Sequence, residues 1–133
     1  MNMQQTFAII KPHAVKSKFS GKIIDMIEAA GFEIVEMKKI TMNQAQAQAL
    51  YAEHEGKPFY NGLVSIMTAS PLIVLKLQKN EAVASWRELM GATNPANAAQ
   101  GTIRALYGNS LDQNAVHGSD SSASAARELA IFF

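Results

Sequence analysis

The stretch "TFAIIKPHAVKSKFSG", residues 6–21, carries the choice of fold. Its first six residues read as a buried strand, stopped by Pro12, which has no N–H to give to a sheet ladder. The turn after this strand separates two architectures. A doubly wound parallel sheet that binds a nucleotide wants a glycine-rich turn directly after its first strand. Here the turn is "KPHAVKSKFSG", which holds neither the dinucleotide fingerprint nor the P-loop pattern.

Downstream, apolar Ile23, Ile24, Met26 and Ile27 recur at helical spacing, with Ser20 as the expected N-cap and Gly31 as the expected stop. "FEIVEMKKI", residues 32–40, alternates only roughly, but its β-branched content predicts a strand. Thr41 and Gln44 have capping-box spacing, which predicts a helix from about Met42 to Glu53 through "QAQAQA". "FYNGLVSIMTAS" reads as a further short helix, "PLIVLKL" as a buried strand entered by Pro71, and "EAVASWRELMG" as a helix ended by Gly91. Residues 93–120 read as one long loop, a length that usually serves function. A small-residue helix over 122–129 and a final apolar strand "AIFF" close the chain. This order predicts an α+β, ferredoxin-like (βαββαβ) fold, a four-stranded antiparallel sheet with helices packed on it. The doubly wound parallel sheet is the alternative.

The 133 residues are expected to form one domain, 1–133, long enough to bury a core without staples. The hydrophobic fraction of 48% and charged fraction of 17% argue against disorder. Net charge is +1, so no broad electrostatic footprint for nucleic acid exists, and any anion site must be local. With no cysteine, disulfides and thiolate metal sites are excluded. The N-terminal apolar run is too short for a signal sequence, and no stretch approaches the roughly 20 apolar residues of a membrane span. A cytoplasmic protein with no nucleic-acid or membrane partner is expected.

"NAVHGSD", residues 114–120, places a histidine beside a glycine among small polar residues, where no core needs it. A loop histidine is more often inert than reactive. His13 and His54 make no metal-binding pair with His117, and a triad of His117, Ser119 and Asp120 is disfavoured because immediate neighbours rarely point at one another. What remains is histidine as nucleophile or base, with one ring nitrogen held by a hydrogen bond. Lys11, Arg87 and Arg104 lie at element ends or in the long loop, and each alone is more often a solvated charge. Together they would form a phosphate clamp. Phe59 and Tyr60 in "KPFYNG" offer either a core ring or a platform for a nucleobase.

With "IIKP", "YAEHEGKPFY", "RELMGATNPANAAQGTIR" and "NSLDQNAVHGSDS" in one order, residues 6–133 resemble nucleoside diphosphate kinases, especially bacterial ones. "NAVHGSD" matches that family's active-site signature. The resemblance implies that a nucleoside triphosphate phosphorylates His117 and that His117 passes the phosphoryl group to a nucleoside diphosphate. It implies Glu128 on the unreactive ring nitrogen with Ser119 beside it, and Tyr51 near the transferred phosphate. It implies Lys11 at ribose and phosphate, Phe59 stacked on the base, Arg87, Thr93 and Arg104 at the phosphates, and Asn114 at a ribose hydroxyl. Stacking tolerates every base, so broad nucleotide use is expected. Magnesium (Mg2+) is implied, held mainly by nucleotide phosphates rather than by protein ligands. A homo-oligomer built from dimers is implied, a tetramer in preference to a hexamer or a bare dimer.

Three features depart from the family pattern. His13 stands where an aspartate is usual after "KP", Leu106 and Tyr107 replace an aspartate and a phenylalanine, and the chain stops at "AIFF" without a short further tail. A catalytically silent nucleotide-binding or scaffold protein on the same fold is the competing reading. Such a protein is expected to lose the histidine or a phosphate arginine, and this sequence keeps them.

Overall fold

The computed structural model describes residues 3–133. The elements run β1 Met3–Ile10, α1 Pro12–Lys16, α2 Ser20–Ala29, β2 Glu33–Ile40, α3 Gln44–Leu50, α4 Tyr60–Thr68, β3 Leu72–Asn80, α5 Ala82–Met90, α6 Ile103–Tyr107, β4 Val116–Gly118 and α7 Ser122–Phe132. Single 3₁₀ turns stand at Ala52–His54 and Pro95–Asn97. The sheet order is β2-β3-β1-β4 with every pairing antiparallel. This is the ferredoxin-like arrangement expected from the sequence.

β1 and β3 are the central strands, and both sheet faces are covered. Ala8, Ile10, Leu75 and Leu77 pack with Ile23 and Ile27 of α2 and Trp86 and Met90 of α5. Phe7, Ile9, Leu72 and Val74 pack with Ala47 and Leu50 of α3, Met67 of α4 and Phe132 of α7. Alternate residues of one strand therefore enter different cores, which explains why "FAII" and "LIVL" carry no polar alternation. Each large side chain buried there contributes roughly 1.5–3 kcal/mol.

β2 is an edge strand and is exposed along most of its length. Its register against β3 jumps between Ile34 and Glu36, so Val35 is the extra residue of a bulge. That bulge breaks the two-residue period and explains the rough alternation of the sequence. Val35 and Met37 stay exposed at the surface.

Several local expectations are corrected. "AIFF" is not a strand: Ala130, Ile131 and Phe132 continue α7, and the fourth strand is Val116–Gly118 inside the stretch read as a loop. That stretch also contains α6. The helix expected over 42–53 is shorter and breaks at Tyr51 into a 3₁₀ turn. Its capping box is Asn43 with Gln46, not Thr41 with Gln44. The Asn43 side chain accepts from Gln46 N–H at 2.8 Å, and the Gln46 side chain accepts from Asn43 N–H at 3.1 Å. Ser20 is the first residue of α2 rather than its cap. Of the two substituted family positions in α6, Leu106 is exposed, while the Tyr107 ring packs 4.8 Å from Phe19.

β4 is three residues long and pairs only with β1, with Ile9 opposite His117. Trp86 fixes it from the other side by donating from Nε1 to the His117 carbonyl at 3.2 Å. A Cβ at Gly118 would lie 2.5 Å from Trp86 Cδ1 and Nε1 and 2.6 Å from Met90 Cε. Only a residue without a side chain lets strand and indole approach this closely. Gly118→Ala is expected to destabilise the protein by about 1–3 kcal/mol through overpacking. Urea unfolding followed by the fluorescence of Trp86 checks this, and an unchanged midpoint contradicts it.

Candidate active site

The cleft is built at the end of β1 and β4. β4 presents His117 to it, α7 supplies Glu128, and the segment before β4 supplies Asn114. Lys11 joins from the end of β1, Tyr51 from the end of α3, Phe59 from the start of α4 and Arg87 from α5. Thr93 and Arg104 complete the far wall. The resulting cavity measures about 420 Å³. All nine of these residues line it; Ser119 does not and is buried behind His117.

One carboxylate organises the histidine. Glu128 Oε1 lies 2.9 Å from His117 Nε2 and accepts a hydrogen bond from Ser119 Oγ at 2.9 Å. Its other oxygen faces Arg127 Nη2 at 3.5 Å. Burial would raise the Glu128 pKa, but the hydrogen bond and charge of His117, the Ser119 hydroxyl and the Arg127 charge outweigh it and hold the carboxyl below its ordinary value. An ionised carboxylate only accepts. The network therefore assigns the ring proton of neutral His117 to Nε2 and leaves the lone pair on Nδ1. Phe7 and Tyr51 meet the imidazole edge-on, with centroids 6.0 and 6.1 Å away. The Tyr51 hydroxyl is buried without a protein partner, and burial followed by the Glu128 charge pushes its pKa up, so it stays a neutral donor.

The cations are held by different means. Arg104 is buried and donates from Nη1 to Gly91 O at 3.1 Å and from Nη2 to Val116 O at 2.9 Å. Its Nε has no protein partner. Burial and the nearby Arg87 lower its pKa to about 10, so it stays charged at neutral pH. Arg87 pairs with Asp120 at 2.8 Å, but both groups are well exposed and the pair is weak and exchangeable. Lys11 is buried, and burial together with Arg104 lowers it to about 8 while Asp112 pulls it upward. Asn114 donates from Nδ2 to Thr93 O at 3.0 Å, and its Oδ1 is buried without a partner. Phe59 stands exposed at the mouth, its ring 5.3 Å from that of His54.

Between Asn114 and His117 the backbone is strained. Ala115 has φ of +75°, and Val116 N–H donates to Asn114 O at 2.9 Å, closing a three-residue turn. Such a conformation in a residue with a Cβ costs about 1–3 kcal/mol. It is held from both sides: Lys11 N–H donates to Ala115 O, and Ala115 N–H donates to His13 Nε2, each at 2.8 Å.

The sequence reading missed Arg127, Asp112 and Asp120 as cleft residues, and His13 as a contact of the Ala115 turn. Asp120 lies in the quoted signature, yet it turns to Arg87 rather than to His117, in accord with the rejected triad. Arg127 carries no motif signal beyond its place beside Glu128. Among the described residues, no group of three or more histidine, aspartate or glutamate side chains is placed to hold a metal ion. No helix among them is long and apolar enough to cross a membrane.

Fold and cleft together define an α+β protein whose cleft gathers Lys11, Arg87 and Arg104 around a braced histidine. The chain belongs to the nucleoside diphosphate kinase family: the model described as "Nucleoside diphosphate kinase" matches residues 4–133. The chain is 56% identical over 131 residues to the nucleoside diphosphate kinase of Geotalea daltonii, covering 98% of this chain and 96% of the relative. It is 52% identical to that of Geobacter sulfurreducens over the same shares of both chains. An orthorhombic crystal form of the Aquifex aeolicus nucleoside diphosphate kinase superposes with a TM-score of 0.96 at 33% identity, covering 98% of this chain and 95% of that one. The Halobacterium salinarum nucleoside diphosphate kinase in complex with CDP gives 0.95 at 40% identity, covering 98% and 87%. The chain is accordingly an enzyme, a phosphotransferase of this family.

The Lys11 environment makes a pH prediction. Its folded pKa of about 8 lies below the ordinary 10.5, so between these values the unfolded chain holds a proton that the folded chain has released. Stability is therefore expected to rise with pH across that window, by on the order of 3 kcal/mol, with the penalty fully present below pH 8. Denaturant midpoints from pH 7 upward, compared with Lys11→Met, read this contribution. Equal pH dependence in the two proteins counts against it.

Proposed function

We propose that the enzyme transfers the γ-phosphoryl group of a nucleoside triphosphate, typically ATP, to a nucleoside diphosphate in two displacements through His117. The observation that carries this reading is the shared Glu128 carboxylate: it binds Nε2 and leaves the Nδ1 lone pair unclaimed beside four cations. In the first displacement Nδ1 attacks the γ-phosphorus. A P–N bond forms, the P–O bond to the β-phosphate breaks, and the diphosphate leaves with the electron pair. In the second, a terminal β-phosphate oxygen of the acceptor attacks the same phosphorus and the P–N electrons return to Nδ1. The phosphoramidate bond is reactive, so onward transfer need not be strongly uphill.

Phosphoryl transfer asks a protein mainly for position and charge. Arg104 is already fixed by two backbone carbonyls, so its charge needs no reorganisation when phosphate arrives. Arg87 exchanges Asp120 for a phosphate oxygen. A phosphate beside Lys11 restores its proton affinity. Thr93 completes the phosphate contacts, the neutral Tyr51 hydroxyl lies near the transferred group, and the unpartnered Asn114 Oδ1 suits a ribose hydroxyl. Phe59 offers its exposed ring to the base, and a stacked ring tolerates any base. Ser119 and Glu128 keep the imidazole oriented as the imidazolium-like charge develops.

Magnesium fits this cleft as the companion of the nucleotide's phosphates, since the carboxylates that line it are scattered and Asp120 is turned to Arg87. Bound there, the ion would neutralise phosphate charge. We assign the enzyme to the cytoplasm and to a homo-oligomer of dimers, a tetramer. The edge position of β2 and its exposed Val35 and Met37 support a surface covered by a second copy.

His117→Ala is expected to abolish transfer while nucleotide binding survives, because the cations remain. Label from γ-labelled ATP should appear on His117 in the wild type, be acid-labile, and leave on addition of GDP. Glu128→Gln should lower turnover about tenfold to a hundredfold, by analogy with carboxylates that orient histidines at metal sites, with a smaller effect on affinity. Near-normal turnover in His117→Ala would falsify the covalent route.

Sedimentation equilibrium over a wide concentration range should give a mass near four times the 14.4 kDa of the chain. A species at 14.4 kDa throughout would overturn the oligomer, and one at twice that mass would reject the tetramer.

A further inference from the structure

We propose that His13 is a positioning residue for His117, and that its imidazole makes this positioning sensitive to acid. The inference rests on the reading of His117 as nucleophile. Its starting point is the strained turn at Ala115, which joins Asn114 to the strand carrying His117. His117 directly follows the turn, with only Val116 between it and Ala115, so a change in φ at Ala115 moves Asn114 and His117 relative to one another. Backbone strain of this kind persists only where neighbours over-determine it. One of the two bonds that do so is a backbone N–H donated to the side chain of His13.

That bond requires a free lone pair on Nε2. Neutral His13 provides one, with its proton on Nδ1. Asn109 Nδ2 stands 3.4 Å from Nδ1, and the amide accepts the Nδ1 proton once it is turned to bring its oxygen to that place. Imidazolium has protons on both nitrogens and no acceptor. Protonation of His13 therefore sets N–H against N–H at Ala115, and the turn loses its side-chain support. The surroundings favour the neutral ring at pH 7: half-burial and then the charge of Lys11 hold His13 below its ordinary pKa. Lys11 is the charged group acting on His13; the facing loop contributes the uncharged Asn109, and Asp112 on that loop acts on Lys11.

A carboxylate has no titration near neutrality, and an aspartate at position 13, drawn in to meet the Ala115 N–H, would accept it without a switch there. The three-way comparison of wild type, His13→Asp and His13→Ala isolates the device. In the wild type, the Ala115 amide ¹H–¹⁵N resonance should follow the titration of His13 at a pH below 6.5. In His13→Asp it should not move over that range. Single-turnover phosphorylation of His117 should be slower by about tenfold to a hundredfold in His13→Ala, the loss expected when a reacting group is misplaced. His13→Asp should restore the rate and remove part of the acid-side fall. The difference between the three proteins is what reports His13. An Ala115 resonance indifferent to His13, or a wild-type rate in His13→Ala, overturns the proposal. Absence of label in the wild type would instead defeat the nucleophile reading, and the Ala115 titration compared between wild type and His13→Asp, which needs no phosphorylation, would still decide the hydrogen bond.

Discussion

The carboxylate of Glu128 is buried, and a buried charge is tolerated only when its oxygens are paired. Three groups answer that requirement: His117 on β4, Ser119 just after it and Arg127 on α7 itself. The same contacts that make the charge tolerable fix the histidine's tautomer. A stability requirement and a chemical one are thus met by a single arrangement. It also ties α7 to the edge strand β4, while Phe132 of the same helix packs flat on Phe7 of the central strand β1 at a centroid distance of 5.1 Å.

Around that pair the cleft accepts several unfavourable features. Lys11 and Arg104 are buried near one another with lowered proton affinity, Ala115 sits at positive φ, and Tyr51 and Asn114 bury polar atoms without protein partners. Each would be an error in an ordinary core. Concentrated at one cleft they have a common meaning under the proposed function, in which an arriving phosphate and ribose would supply negative charge and hydrogen bonds that the protein withholds from itself. The strain at Ala115 belongs to the same group, since it sets the direction in which the chain enters β4.

The long elements were legible because they obey one period. α2 and α5 show helical spacing, and β1 and β3 are short apolar runs between breakers. Failures fell where the period is short or absent. "VHG" is three residues, too few to display any alternation, so β4 read as loop. "AIFF" has the composition of a buried strand and of a buried helix alike, and periodicity cannot separate the two. What makes it helical is continuity with α7 and the docking of Phe132 in the second core. Asn43 took the cap that Thr41 was expected to provide because the helix starts two residues later than its composition implied.

Fold class was readable from hydrophobic period and breaker residues. Nine residues of the cleft were named through the resemblance of the chain's motifs to a known family, while Arg127, Asp112 and Asp120 were missed. Three-dimensional packing settled which neighbour does what. Asp120 is three residues from His117 and points to Arg87; Glu128 is eleven residues away and holds the ring. His13 is one hundred and two residues from Ala115 and accepts its N–H. Hydrogen bonds depend on distance and direction in space. A strand that alternates its faces, entered through a turn at positive φ and succeeded by a helix that folds back, sets both in a way that spacing along the chain does not reveal.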